Sequence, residues 1–126
     1  MKLFSLEEAN VLLPSVRRIV ASLTRAHAYV ASRKADARRA GEIGAESGGG
    51  HLDESSKYIR VVLTLIEKTS ELDSLGVQLK DYSIGLIDFP SMREGRIVLL
   101  CWKLGEGDRI EWWHETEAGY AGRQPL

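Results

Sequence analysis

The stretch Gly95-Arg96-Ile97-Val98-Leu99-Leu100-Cys101-Trp102-Lys103-Leu104-Gly105-Glu106-Gly107-Asp108-Arg109-Ile110-Glu111-Trp112-Trp113-His114 decides the fold class. Its β-branched and aromatic residues favour extended backbone, and glycines punctuate it at Gly105 and Gly107. Strands are predicted over 96–103 and 109–114. Working outward, Gly85 to Phe89 predicts another strand, followed by a Pro90 to Gly95 loop, and Val77 to Lys80 a short first one. If Gly105-Glu106-Gly107 is a three-residue bulged turn, Leu104 faces Asp108, and Trp102 pairs with Ile110, Leu100 with Trp112 and Val98 with His114. The opposite face then holds Ile97, Leu99, Cys101, Glu111 and Trp113, which is too apolar for bare water. Ile97, Leu99 and Trp113 are therefore the candidate interface.

The residues before Val77 have a helical period instead. Ser5-Leu6-Glu7-Glu8 is a capping box that opens a helix over about 5–40. Its apolar positions recur at Leu6, Ala9, Leu13, Val16, Val20, Leu23 and Val30 in steps of three and four, with His27 taking one seam position. Pro14 predicts a kink near Leu12 or Leu13 within that helix. A glycine-rich linker is expected over 41–50. A second helix follows over about 53–75 and ends at Gly76 in a left-handed cap, with an apolar face built from Tyr58, Ile59, Val62, Leu63, Leu65, Ile66 and Leu72. The whole predicts one α+β domain over 1–126. Two long helices form an antiparallel hairpin on an antiparallel meander of three to four strands, and an irregular tail occupies 115–126.

Bulk properties exclude several classes. At 126 residues, 44% hydrophobic and 28% charged, the chain suits one core and is too apolar to stay wholly disordered. The single Cys101 cannot form an internal disulfide. A cytoplasmic setting is expected on that ground, and no secretory leader, because Glu7 and Glu8 interrupt the start. The longest apolar runs fall far short of the roughly 20 residues of a membrane span, so no membrane partner is expected. Residues 1–40 carry a surplus of five positive charges and the remainder a surplus of six negative ones. That asymmetry favours attraction between the halves, in cis or between subunits.

Further residues carry a likeness. They are Phe4-Ser5-Leu6-Glu7-Glu8-Ala9-Asn10, Gly76-Val77-Gln78-Leu79-Lys80-Asp81, Gly85-Leu86-Ile87-Asp88-Phe89-Pro90, Leu100-Cys101-Trp102-Lys103-Leu104-Gly105-Glu106, Trp113-His114-Glu115 and Gly119-Tyr120-Ala121-Gly122-Arg123-Gln124-Pro125. With these the chain resembles the uncharacterised bacterial family DUF2203 over nearly its whole length. The resemblance implies no activity, so it transfers no catalytic residue.

Candidate sites come from residue chemistry. Asp88, Cys101 and His114 are of the types that hold a transition metal, although close pairs such as Cys-x-x-Cys are missing and the register above sends Cys101 and His114 to opposite faces. No cofactor is predicted outright; a divalent metal is the one these residues would admit. Arg123 and Tyr120, flanked by Gly119 and Gly122, are the candidate anion-binding group. The leading expectation is a non-enzymatic cytosolic module that self-associates as a homodimer through the hairpin and the outer sheet face. The alternative is a small metal-dependent or anion-processing enzyme using Asp88, Cys101, His114 and Arg123. Nucleic-acid binding through the basic run Arg33 to Arg39 ranks last, since Asp36 interrupts it and no aromatic is interleaved.

Overall fold

Ser5 opens the first helix with a reciprocal cap. Its hydroxyl accepts from the Glu8 amide at 3.0 Å, and the Glu8 carboxylate accepts from the Ser5 amide at 2.8 Å. The structure, a computed structural model, describes residues 1–42 and 52–126. Helix α1 spans Leu6–Glu42 and runs through Pro14 as one helix. Helix α2 spans Leu52–Ser74. Most of the glycine-rich linker expected over 41–50 lies outside the described residues. Gly76 has φ 87, and the amides of Gly76 and Val77 bond back to the carbonyls of Asp73 and Leu72. This double bond with a left-handed glycine closes α2, and Leu72 and Val77 bury the apolar contact that accompanies such a cap.

Five strands follow as an antiparallel meander in sequence order: β1 Gln78–Asp81, β2 Leu86–Arg93, β3 Arg96–Lys103, β4 Trp112–Glu115 and β5 Gln124–Pro125. The fold is α+β, as the sequence implies. The fifth strand comes from the tail that the sequence left irregular. The seam of α1 packs on one sheet face: Ala9, Leu13, Val16, Val20 and Leu23 meet Ile87, Phe89, Val98, Leu100, Trp102 and Trp113 in one core. No helix among the described residues is long and apolar enough to cross a membrane.

Two local predictions need correction. Strand β2 continues through Pro90 to Arg93 rather than breaking into a loop, and turns into β3 at Glu94 and Gly95, both with positive φ (51 and 78). That pair of angles is the two-residue hairpin turn that matches strand twist. Pro90 fits because its carbonyl accepts from the Phe4 amide at 2.7 Å. Its ring nitrogen therefore faces away from β3, where no ladder bond is lost.

The register of β3 against β4 also differs from the expected one. Residues 104–111 form a long anchored loop, so the three-residue turn does not occur. Asn10 Oδ1 accepts from the Ile110 amide, the Trp102 indole donates to the Gly107 carbonyl, and Arg17 reaches both that carbonyl and Asp108. Leu100 consequently pairs with Trp113, Leu99 with His114 and Cys101 with Trp112. This is one residue out of the expected register, and a one-residue slip exchanges the two faces of a strand. Trp113 thus belongs to the core rather than to an outer interface, while Trp112 takes the outer face.

Gly85, at the entry to β2, sits in a tight contact with α1. It has φ +65, and a Cβ there would lie 2.8 Å from Val20 Cγ1 and 2.9 Å from Leu104 Cβ. Gly85→Ala should lose about 2–4 kcal/mol of stability from left-handed strain plus overpacking. Urea denaturation measures this, and a loss below about 0.5 kcal/mol would contradict the packing described.

Candidate functional site

The observed register brings three polar side chains to the sheet face opposite α1. Asp88 on β2 is the direct partner of Cys101 on β3, and His114 on β4 stands two residues from Trp112, the Cys101 partner on its other side. Because Pro90 and Leu99 form a pair without ladder bonds, alternation makes Asp88 and Cys101 another such pair, the kind whose side chains approach most closely. All three are buried, at 1%, 1% and 2% exposure. One donor atom from each lies within 4.8 Å of those from the other two. The sequence register had separated Cys101 from His114; the anchored loop reunites them.

The hydrogen bonds fix where protons sit. His114 Nδ1 lies 2.8 Å from the Glu115 carbonyl, and a carbonyl only accepts, so Nδ1 carries a hydrogen and donates it. Nε2 lies 3.1 Å from Asp88 Oδ1, and that contact needs one proton between them. The buried pair therefore holds no net charge, whichever partner owns that proton. Burial, reinforced by the Asp88 carboxylate, pushes the Cys101 thiol up to about 12 against the opposing Arg123 guanidinium. Without a bound cation the group is a thiol at neutral pH, so it is no ready nucleophile.

The tail closes this face. After β4, the chain turns at Gly119, forms a short 3-10 turn over Tyr120–Gly122 and returns as β5 against Trp112 and Trp113. Arg123 lies 3.9 Å from Cys101 Sγ, over the Trp112 and Tyr120 rings at 4.8 and 4.2 Å, and 2.9 Å from Glu106 Oε2. Its charge is met by Glu106, which also accepts from the Lys103 amide. Glu106 carries no local signal of this role, because it stands in a turn 17 positions from its partner. Of the anion-binding candidates, Arg123 is thus committed to a carboxylate, and Tyr120 lies beside it with Lys103 near its hydroxyl. Of the interface candidates, Leu99 is buried on this face and Ile97 stays 39% exposed.

Beside the three polar residues, Lys80, Leu86, Asp88, Leu99, His114, Thr116, Gly119 and Tyr120 line a cavity of about 150 Å³. Asp88 and His114 both border it, which leaves room for several waters or a small ligand. A family model described as an uncharacterized conserved protein, DUF2203, matches residues 2–126. The chain belongs to the DUF2203 family. No curated protein and no solved structure matches it. What this DUF2203 chain can do chemically rests on the site itself.

Burial of the Cys101 thiol makes stability depend on pH. Cys101 ordinarily titrates near 9.0 and in the fold near 12, so in that window the unfolded chain releases a proton that the folded chain retains. Stability therefore falls as pH rises through the window, by less than about 1.4 kcal/mol per pH unit once solvent screening is allowed for. Denaturation curves of wild type and Cys101→Ala should diverge across it. Parallel pH dependences would contradict the thiol environment described.

Proposed function

We propose that this chain binds one divalent transition-metal ion, zinc before others, through Asp88, Cys101 and His114. The observation that carries the reading is the convergence of three buried oxygen, sulfur and nitrogen donors from three adjacent strands within 4.8 Å. Tetrahedral zinc ligands sit about 2.0–2.3 Å from the ion and hence roughly 3.3–3.6 Å from one another. His114 Nε2 and Asp88 Oδ1 are already 3.1 Å apart, close to that spacing. The His114 Nδ1 bond to the Glu115 carbonyl is the outer-sphere support that orients a metal-bound imidazole and leaves Nε2 for the ion.

Charge also balances. One carboxylate and one thiolate offset a divalent ion, and a coordinated thiol gives up its proton outright. The Arg123 guanidinium near the sulfur is already compensated by Glu106, so it supplies a hydrogen bond to the thiolate more than a repelling charge. With three protein ligands a fourth position is left for water or a small ligand, and the cavity bordered by Asp88 and His114 can hold either. A cytoplasmic setting suits this reading, since thiols stay reduced there.

The test is metal analysis of protein purified without a polyhistidine tag, loaded with zinc and desalted. We expect one zinc per chain, at least tenfold less in Cys101→Ser and in His114→Gln, and a sulfur-to-cobalt charge-transfer band when cobalt replaces zinc. Circular dichroism checks that the variants fold. Folded wild type that retains no metal would overturn the proposal, as would variants that retain as much as wild type.

A further inference from the structure

An unpartnered apolar stripe lies on the second helix, away from Asp88, Cys101 and His114. The α2 side chains Ile59, Leu63 and Ile66 are 58%, 58% and 60% exposed. They are separated by steps of four and three, and Ser56 and Ser70 continue the same spacing at either end. The series 56, 59, 63, 66, 70 has the spacing of a coiled-coil seam, apolar at its three central positions, and it runs along the helix side opposite Leu65 and Leu72, which pack on the core. Three exposed β-branched or leucine side chains in register are not random surface residues, because a solvated helix face places polar groups there.

Charge decides what covers this seam. Arg60 and Glu67 each follow a seam residue by one position, on the same flank, and neither forms an ion pair within the described residues. The other flank carries Val62 and Thr69, without charge. A parallel partner helix would set the charged flank against the uncharged one. An antiparallel copy related by a two-fold axis near Leu63 sets like flank against like flank. Arg60 then meets the partner copy's equivalent of Glu67 and vice versa, Ile59 and Ile66 face one another across the axis, and Leu63 meets its own equivalent. The arrangement is self-complementary at every position.

We infer that the chain forms a homodimer in which two α2 helices pack antiparallel through Ile59, Leu63 and Ile66, registered by Arg60 and Glu67. This places the interface on the hairpin, while the outer sheet face is covered by the chain's own tail. It is independent of metal binding.

Sedimentation analysis of the full chain, with circular dichroism as the folding control, tests it. Wild type should sediment as a dimer, and Leu63→Lys as a folded monomer, since that side chain has little packing to lose within its own subunit. Arg60→Glu and Glu67→Arg alone should each weaken the dimer roughly tenfold by setting like charges opposite, and the double exchange should restore it. A wild-type monomer at every concentration would overturn the homodimer and leave the seam to a different helical partner. So would a dimer indifferent to Leu63→Lys, or a double exchange no tighter than the single ones.

Discussion

The anchoring of residues 104–111 to the first helix is the constraint on which the rest of the structure depends. Asn10 and Arg17 project from α1 and hold the loop at Ile110, Gly107 and Asp108, while Trp102 ties Gly107 from the sheet. A hairpin closed by a short turn takes its register from that turn, whereas a loop as long as 104–111 leaves the register of β4 against β3 open unless the loop is held. Fastening the loop to an element outside the sheet removes that freedom and fixes Leu100 opposite Trp113. One residue of register then decides everything on β4: which tryptophan enters the core, and whether His114 faces helix or tail.

From that register follow the two chemistries of the sheet. The face toward α1 is closed by ordinary apolar packing, with Phe89 set edge-on against Phe4 and Trp113 lying under the Arg93 guanidinium. The other face collects a carboxyl, a thiol and an imidazole, and these demand more than burial. Burying polar groups is costly unless each finds a partner. The His114 and Asp88 pair meets this by sharing one proton, and Cys101 by staying protonated under Arg123. The tail is needed because these groups would otherwise face water at the edge of an apolar sheet. Arg123 and Glu106 form the clasp that holds it down, half-buried and bracketed by Trp112 and Tyr120.

Much of this architecture was legible in the sequence where the signal is local. The capping box at Ser5, the 3-4 seam of α1 from Ala9 onward and the left-handed cap at Gly76 each depend on a few neighbouring residues, and each appears where the pattern places it, while Leu6 at the head of the seam stays exposed. The candidate metal set was legible only as residue types. Its geometry has no local signal, because register across a loop depends on contacts 90 or more residues distant in sequence, such as Arg17 with Asp108. Pro90 misled for a related reason: a proline breaks a strand only where its missing donor is needed, and the Phe4 contact that shows it is not needed comes from the other end of the chain. The tail strand was hidden because a two-residue strand leaves no periodicity to read.

The charge asymmetry between the two parts of the chain also finds its expression in cis. Arg17 and Arg33 of the basic first helix reach Asp108 of the loop and Glu54 of α2, at 2.8 and 3.4 Å. These exposed pairs contribute little energy individually, but they pin the loop and the hairpin to the same helix. What remains central is the single residue of register between β3 and β4. Cross-strand nuclear Overhauser effects between α-protons read it directly, since these protons approach closely only at pairs without ladder bonds. The account requires a strong effect between Leu100 and Trp113. An equivalent effect between Leu100 and Trp112 would restore the slipped register, scatter the three donors across two faces and contradict the account.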